Sequence, residues 1–271
     1  MLRKVASVTA SERLSKGTFK KCDMHVHSSS CYSRSYDETQ FVSKVLGSDL
    51  DVLAVTDHNI IDVALLNRLR SRLAEKGKTL IGGVEINVKL KTATINACNL
   101  IIGEGKKSGY FHAIVWFDMD QAKEMAKIIK DLFVDAIIDE DNPDGPSASS
   151  LRSLSPREFS ARTEGIAIYL EDFQEKASAL RHFLIPHENK DRSLSDYLPN
   201  RLSGDPYVPN MDYKGRLFYY SHAMAVEGGE KSRKSISEGL ANQLNTTVSA
   251  LLFSDAMTVD KIGSKFTWID F

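Results

Sequence analysis

Short apolar, β-branched runs alternate along this chain with segments whose apolar residues recur at helical spacing. Asp51-Val-Leu-Ala-Val-Thr56 is compact and closed by polar residues, the pattern of a buried strand. Over 60–76 the positions Ile61, Ala64, Leu65, Leu69 and Leu73 form a helical stripe, and Gly77 supplies a stop. Strands are predicted from near Thr18 to His25, over 79–84 and over 111–117, with a helix over about 120–133. A helix over 170–182 leads into the short strand Phe183-Leu-Ile-Pro186. Residues 217–226 read as a strand, 231–245 as a helix and 248–253 as a last strand. This alternation predicts parallel strands with helices outside, in a barrel or an open sheet. One domain over 1–271 with an elaborated insertion around 118–182 is the economical organisation, and the acidic, turn-rich stretch 139–147 reads as a surface loop.

Ligand-type residues recur directly after these runs. His25 and His27 flank Val26, and residues two apart on an extended chain face the same side. Asp57 and His58 close the next strand, Glu85 the third, His187 follows Pro186, and Asp255 follows Ser254. His112 opens its strand, so its register decides whether it joins them. In parallel α/β folds the carboxyl ends of strands share one face, which carries the chemistry. Five of the seven histidines and two carboxylates then converge on one patch suited to zinc, iron or manganese. Taken singly, Asp57 or Asp255 could instead cap a following helix. The joint pattern favours a metal centre.

Composition narrows the setting. With 42% apolar and 26% charged residues the chain is of soluble globular type, not disordered or coiled coil. A net charge of −1 gives no global field to advertise nucleic acid or membrane, so a polyanion would bind at a local patch. Cys22, Cys31 and Cys98 lack CxxC spacing, which argues against a disulfide framework or thiolate zinc site and suits a reducing compartment. The first 21 residues lack the apolar core of a signal peptide, and no run approaches the roughly 20 apolar residues of a membrane span. A cytoplasmic location is expected. Walker, strand-linked GxGxxG and GxSxG patterns are absent from the sequence.

In order, Asp23-Met-His25-Val-His27, Thr56-Asp57-His58-Asn59, Gly83-Val-Glu85, His112, Pro186-His187 and Ser254-Asp255-Ala256 resemble the motifs of the PHP (polymerase and histidinol phosphatase) phosphoesterases. The resemblance runs from about Phe19 to Phe271, and the stretch from Phe253 to Ile269 is similar to the subgroup associated with AAA-like or SMC-like ATPases. It implies a distorted (βα)7 TIM-like barrel with metals at the C-terminal face of the strands. It also implies that His25, His27, Glu85 and Asp255 hold one ion, that Glu85, His112 and His187 hold another, and that His58 belongs to a third. Two motifs depart from the family pattern: Met257 stands where a histidine is usual, and Tyr32 and Ser33 stand where His or Asp is usual. A thioether suits hard or borderline ions poorly, so one or two divalent ions (Zn, Mn or Fe) are expected. Asp37 or His222 could substitute by rearrangement.

Paired ions clamp a phosphate and activate water, which suits phosphoester hydrolysis. Glu85 would bridge them, His58 or Asp255 would orient the nucleophile or take its proton, and Asp23 and Asp57 would hold imidazole tautomers. Arg34, Lys190 and Arg192 are the expected phosphate contacts. Basic residues at Lys89, Lys91, Lys106, Lys107, Lys231, Arg233 and Lys234 could add salt-dependent backbone contacts. The leading expectation is a phosphodiesterase acting as a nuclease on DNA or RNA, with an AAA-like or SMC-like ATPase in cis or trans and no membrane partner. Alternatives are a small-molecule phosphatase, an amidohydrolase, or a catalytically weakened PHP-like binding module.

Overall fold

The alternating pattern folds as a mixed α/β sheet that curls into a half-barrel. This computed structural model describes residues 19–97, 100–102, 110–140, 146–188, 197–199, 225–228 and 249–270. Its strands are β1 (Phe19–Val26), β2 (Val52–Val55), β3 (Thr79–Lys89), β4 (Leu100–Ile102), β5 (Phe111–Phe117), β6 (Ile168–Tyr169), β7 (His182–Glu188), β8 (Tyr197–Pro199), β9 (Ala225–Gly228), β10 (Ser249–Leu251) and β11 (Thr267–Asp270). The main sheet runs β10-β9-β7-β5-β3-β2-β1-β11, with β6 beside β3, while β4 and β8 pair separately. The expected helix over 231–245 and the start of the strand over 217–226 lie outside the described residues.

Parallel pairing does not hold throughout. β5 is antiparallel to both β3 and β7, and β11 is antiparallel to β1. This reversal brings the beginning of β5, rather than its end, to the edge where β3 and β7 carry their polar residues. His112 accordingly pairs with His187 and stands two residues from the partner of Glu85.

Strand alternation separates the two faces of the sheet. Leu53, Val55, Val84, Ile86, Val88, Ala113, Val115 and Leu184 pack into the large helix-side core. Val52, Ala54, Ile81, Ile114, Trp116 and Ile185 line the opposite, inner face. Glu85, His112 and His187 share the parity of that inner set. On β1 the pairing slips between Asp23 and Val26, so Met24 packs inward and Val26 outward. The slip gives His25 and His27 to the inner face.

Helices cover the outer face. α1 (Glu38–Gly47) is opened by a capping box between Asp37 and Gln40 and buries Phe41, Val42 and Val45. α2 (Val63–Ala74) buries Leu65, Leu66, Leu69 and Leu73, with Asp62 as its cap. Gly77 follows at φ 68°, its N–H donating to Ala74 and that of Lys78 to Leu73. α3 (Thr92–Ala97) is short, whereas α4 (Ala122–Glu140) extends seven residues past the predicted end. α5 (Ala148–Ser153), α6 (Pro156–Arg162) and α7 (Leu170–Lys176) complete the layer. Among the described residues no helix is long and apolar enough to cross a membrane.

Candidate metal centre

Glu85 sits on the inner face of β3, 1% exposed, and is the hub of the site. Its Oε2 lies 3.0 Å from His25 Nε2, 3.3 Å from His27 Nε2 and 3.4 Å from His58 Nδ1. Its Oε1 lies 2.5 Å from His112 Nδ1 and 3.1 Å from His187 Nδ1. Asp255 reaches the same space, with Oδ1 3.3 Å from His27 Nε2. Thus His25, His27, His58, Glu85, His112, His187 and Asp255 are brought together from six separate chain segments.

Local backbone bonds hold these groups in place. The N–H of Asn59, at φ 59°, donates to the Glu85 carbonyl, and the Asn59 amide bridges Asn87 N and the Thr163 carbonyl. Asparagine tolerates that left-handed conformation better than most residues. Asp255 is also left-handed, at φ 38°, and its N–H donates to the His25 carbonyl at 3.0 Å. Asp23 accepts from the N–H groups of Ser254 and Gly263 at 3.0 Å each, while Asp57 accepts from Ser28 N and Oγ at 2.5 Å each. These two aspartates therefore fix the backbone beside the ligands instead of holding imidazoles. Asp37 is committed to its helix cap, so its substitution as a ligand does not occur.

Electrostatics divide the histidines. Burial opposes charging of His25, but Glu85, Glu227 and Asp255 outweigh it and raise the imidazole to about 9. Burial is likewise overcome at His27 and His187, which are held well above the usual histidine range by neighbouring anionic groups. The Glu85, Glu227 and Asp255 carboxyls are lowered by the surrounding histidines in spite of burial, Glu227 to about 2. His58 goes the other way: burial, reinforced by His27, His112 and Arg34, pushes it down to about 3 against the pull of Glu85. His58 is therefore a neutral imidazole.

Donor chemistry fits a divalent ion. Among the described residues, His27 Nδ1 and His112 Nε2 are buried without a hydrogen-bond partner, and His27 Nε2 has only its 3.3 Å ionic contacts with Glu85 and Asp255. Among the described residues four sets bring their donor atoms within 4.8 Å of one another: His25, His27 and Asp255; His58, Glu85 and His112; His27, Cys31 and His58; and His25, His187 and Glu227. Imidazole and carboxylate in this density suit zinc, iron or manganese.

Two of these participants were not singled out from sequence. Glu227 directly follows Val226, as the others follow their apolar runs, and β9 continues through it to Gly228. Cys31 is buried in the loop after His27, where its thiol is lowered by the neighbouring His27 despite burial. Met257 is 63% exposed and joins none of the four sets, and the Tyr32 ring lies 6.1 Å from that of His58. Arg34 is buried, donating from Nη2 to Asp255 Oδ1 at 3.0 Å and from Nη1 to Ser33 Oγ at 2.6 Å. Lys190, Arg192, His222, Lys106, Lys107, Lys231, Arg233, Lys234 and Cys98 lie outside the described residues.

No protein-family model matches this chain, and no curated protein matches it in sequence. Solved structures do. An amidohydrolase from Chromobacterium violaceum superposes with a TM-score of 0.50 at 12% identity over 90% of each chain. A lesion-specific endonuclease from Pyrococcus furiosus has a TM-score of 0.44 at 12% identity, over 92% of this chain and 52% of that one. A two-domain protein from Bacteroides vulgatus, containing a predicted PHP-like metal-dependent phosphoesterase, has a TM-score of 0.42 at 14% identity, over 90% of this chain and 54% of that one. The first of these shows a shared fold.

Proposed function

We propose that this chain is a PHP-type, metal-dependent phosphoesterase that hydrolyses phosphodiester bonds in DNA or RNA. The observation that carries the reading is the convergence of five histidines and Asp255 around the buried Glu85 carboxylate. His25, His27, Glu85 and Asp255 would hold one divalent ion, and Glu85, His112 and His187 a second. Such ions would supply Lewis-acid polarisation of the phosphoryl group and a water acidified towards about 7. His58, partly exposed beside Glu85, or Asp255 would orient that water or take its proton. Arg34 faces Asp255 and would be available to phosphate once that carboxylate turns to an ion, with Lys190 and Arg192 as further contacts. The order of the sequence motifs supports extending the reading to a distorted (βα)7 barrel, the stretch from Phe253 to Ile269 to an AAA-like or SMC-like ATPase partner, and the cysteine pattern to a cytoplasmic location.

Bis-nitrophenyl phosphate with manganese or zinc tests the reading directly. Wild-type protein should release nitrophenol, and His25→Ala and Glu85→Ala should each reduce turnover at least 100-fold, in line with catalytic acid–base and metal contributions. Variants as active as wild type would remove the proposal.

A further inference from the structure

We propose that Glu227 is a positioning residue that fixes two ion-holding imidazoles, His25 and His187, and dictates which nitrogen each presents. The inference rests on the metal-centre reading above. Both rings lie between two carboxylates. His25 directs Nε2 to Glu85 Oε2 at 3.0 Å and Nδ1 to Glu227 Oε2 at 3.2 Å. His187 directs Nδ1 to Glu85 Oε1 at 3.1 Å and Nε2 to the same Glu227 oxygen at 2.9 Å. The two histidines therefore face Glu85 through opposite nitrogens, a choice that a free imidazole would not make consistently.

Surroundings decide which carboxylate faces the ions. Near Glu85 stand His27, His58 and His112 as well, whereas among the described residues Glu227 has only His25 and His187 as ionic partners. With an ion on the Glu85 side, each ring keeps one N–H, and Glu227 Oε2 accepts both. A carboxylate accepting from a ligand imidazole fixes its tautomer and raises its basicity. At 3% exposure Glu227 has little water to compete for those bonds.

Glu227 also spans the curl. It is in register with His187 on the adjacent strand β7, yet His25 reaches it from β1, which β2, β3, β5 and β7 separate from β9 in the sheet. The carboxylate thereby joins ligands assigned to two different ions.

Zinc titration of chelator-stripped wild type and Glu227→Gln, with circular dichroism to verify folding, tests the role. Glu227→Gln should weaken both zinc equivalents by roughly 10- to 100-fold, the scale of losing a hydrogen bond behind a metal-bound histidine. Unchanged affinities would overturn the proposal, as would loss of one equivalent with the other intact, the signature of a direct ligand. Failure of wild type to take up zinc would instead remove the metal-centre reading, and this proposal with it. A second measurement needs no variant: in zinc-loaded wild type, long-range ¹H–¹⁵N correlation should show His25 protonated at Nδ1 and His187 at Nε2. Any other pair of tautomers would overturn the assignment.

Discussion

Glu85 makes one electrostatic unit of side chains that are far apart in the chain. Its carboxylate is fully buried and its charge is balanced by imidazoles, so removing it leaves those groups buried without their partner. Glu85→Ala should therefore destabilise the metal-free protein by about 3–5 kcal/mol, the range for breaking a buried ion pair, as measured by urea unfolding. Arg157 acts at a distance from this charge. Its guanidinium donates to the carbonyls of Ser29, Cys31, Tyr32 and Arg34, tying α6 to the loop that follows His27. Arg157→Ala should speed amide exchange across residues 28–34 while the core strands keep their protection, a difference that hydrogen-exchange mass spectrometry resolves.

At the scale of elements, close approach of β2 and β3 sets where Glu85 lies. A methyl group added at Gly83 would stand 2.7 Å from Thr56 Cγ2 and 2.9 Å from the Val55 carbonyl, and the backbone cannot swing aside as a side chain can. Gly83→Ala should cost about 1–3 kcal/mol in urea unfolding. Gly47→Ala, with nothing within 4 Å, should change stability by no more than about 1 kcal/mol.

The same elements explain what could be read from sequence. β2, β3 and β7 are legible as compact apolar runs beside chemically distinct residues, but β3 continues through Glu85 to Lys89 and β7 through His187 to Glu188, because inward-facing polar residues keep the strand pairing. β5 was found as a strand, but its direction was not, since alternation is the same in either sense. Asp37 and Gln40 carry the spacing of a capping box, so the carboxylate that resembles a spare ligand in the sequence serves the start of α1 instead. Glu227 is not marked in the sequence because the apolar run stops at Val226, although β9 continues to Gly228. Cys31 escaped because thiolates were set aside once imidazoles sufficed.

Over the whole molecule, the site couples protons to folding. His25 stands at about 9 against an ordinary 6.5, so the stability it contributes is full below pH 6.5 and is lost as pH rises through about 9. Glu227 stands at about 2 against 4.5, so its contribution is present above pH 4.5 and is lost as pH falls through about 2. Melts of chelator-treated protein should accordingly show greatest stability between about pH 4.5 and 6.5, with a decline on either side. Zinc should reverse the alkaline decline, because an ion competes with the very protons whose loss causes it.

The reversed direction of β5 has a further consequence for how such a centre can diversify. Its histidine stands at the front of the strand, so Tyr110, which comes before β5, stacks against His112 on the edge that His27 and His58 reach from the ends of β1 and β2. Insertions arriving from upstream and from downstream of a strand can therefore both reshape the entrance. A lineage could retune what enters through either kind of segment while the imidazole lattice beneath stays untouched.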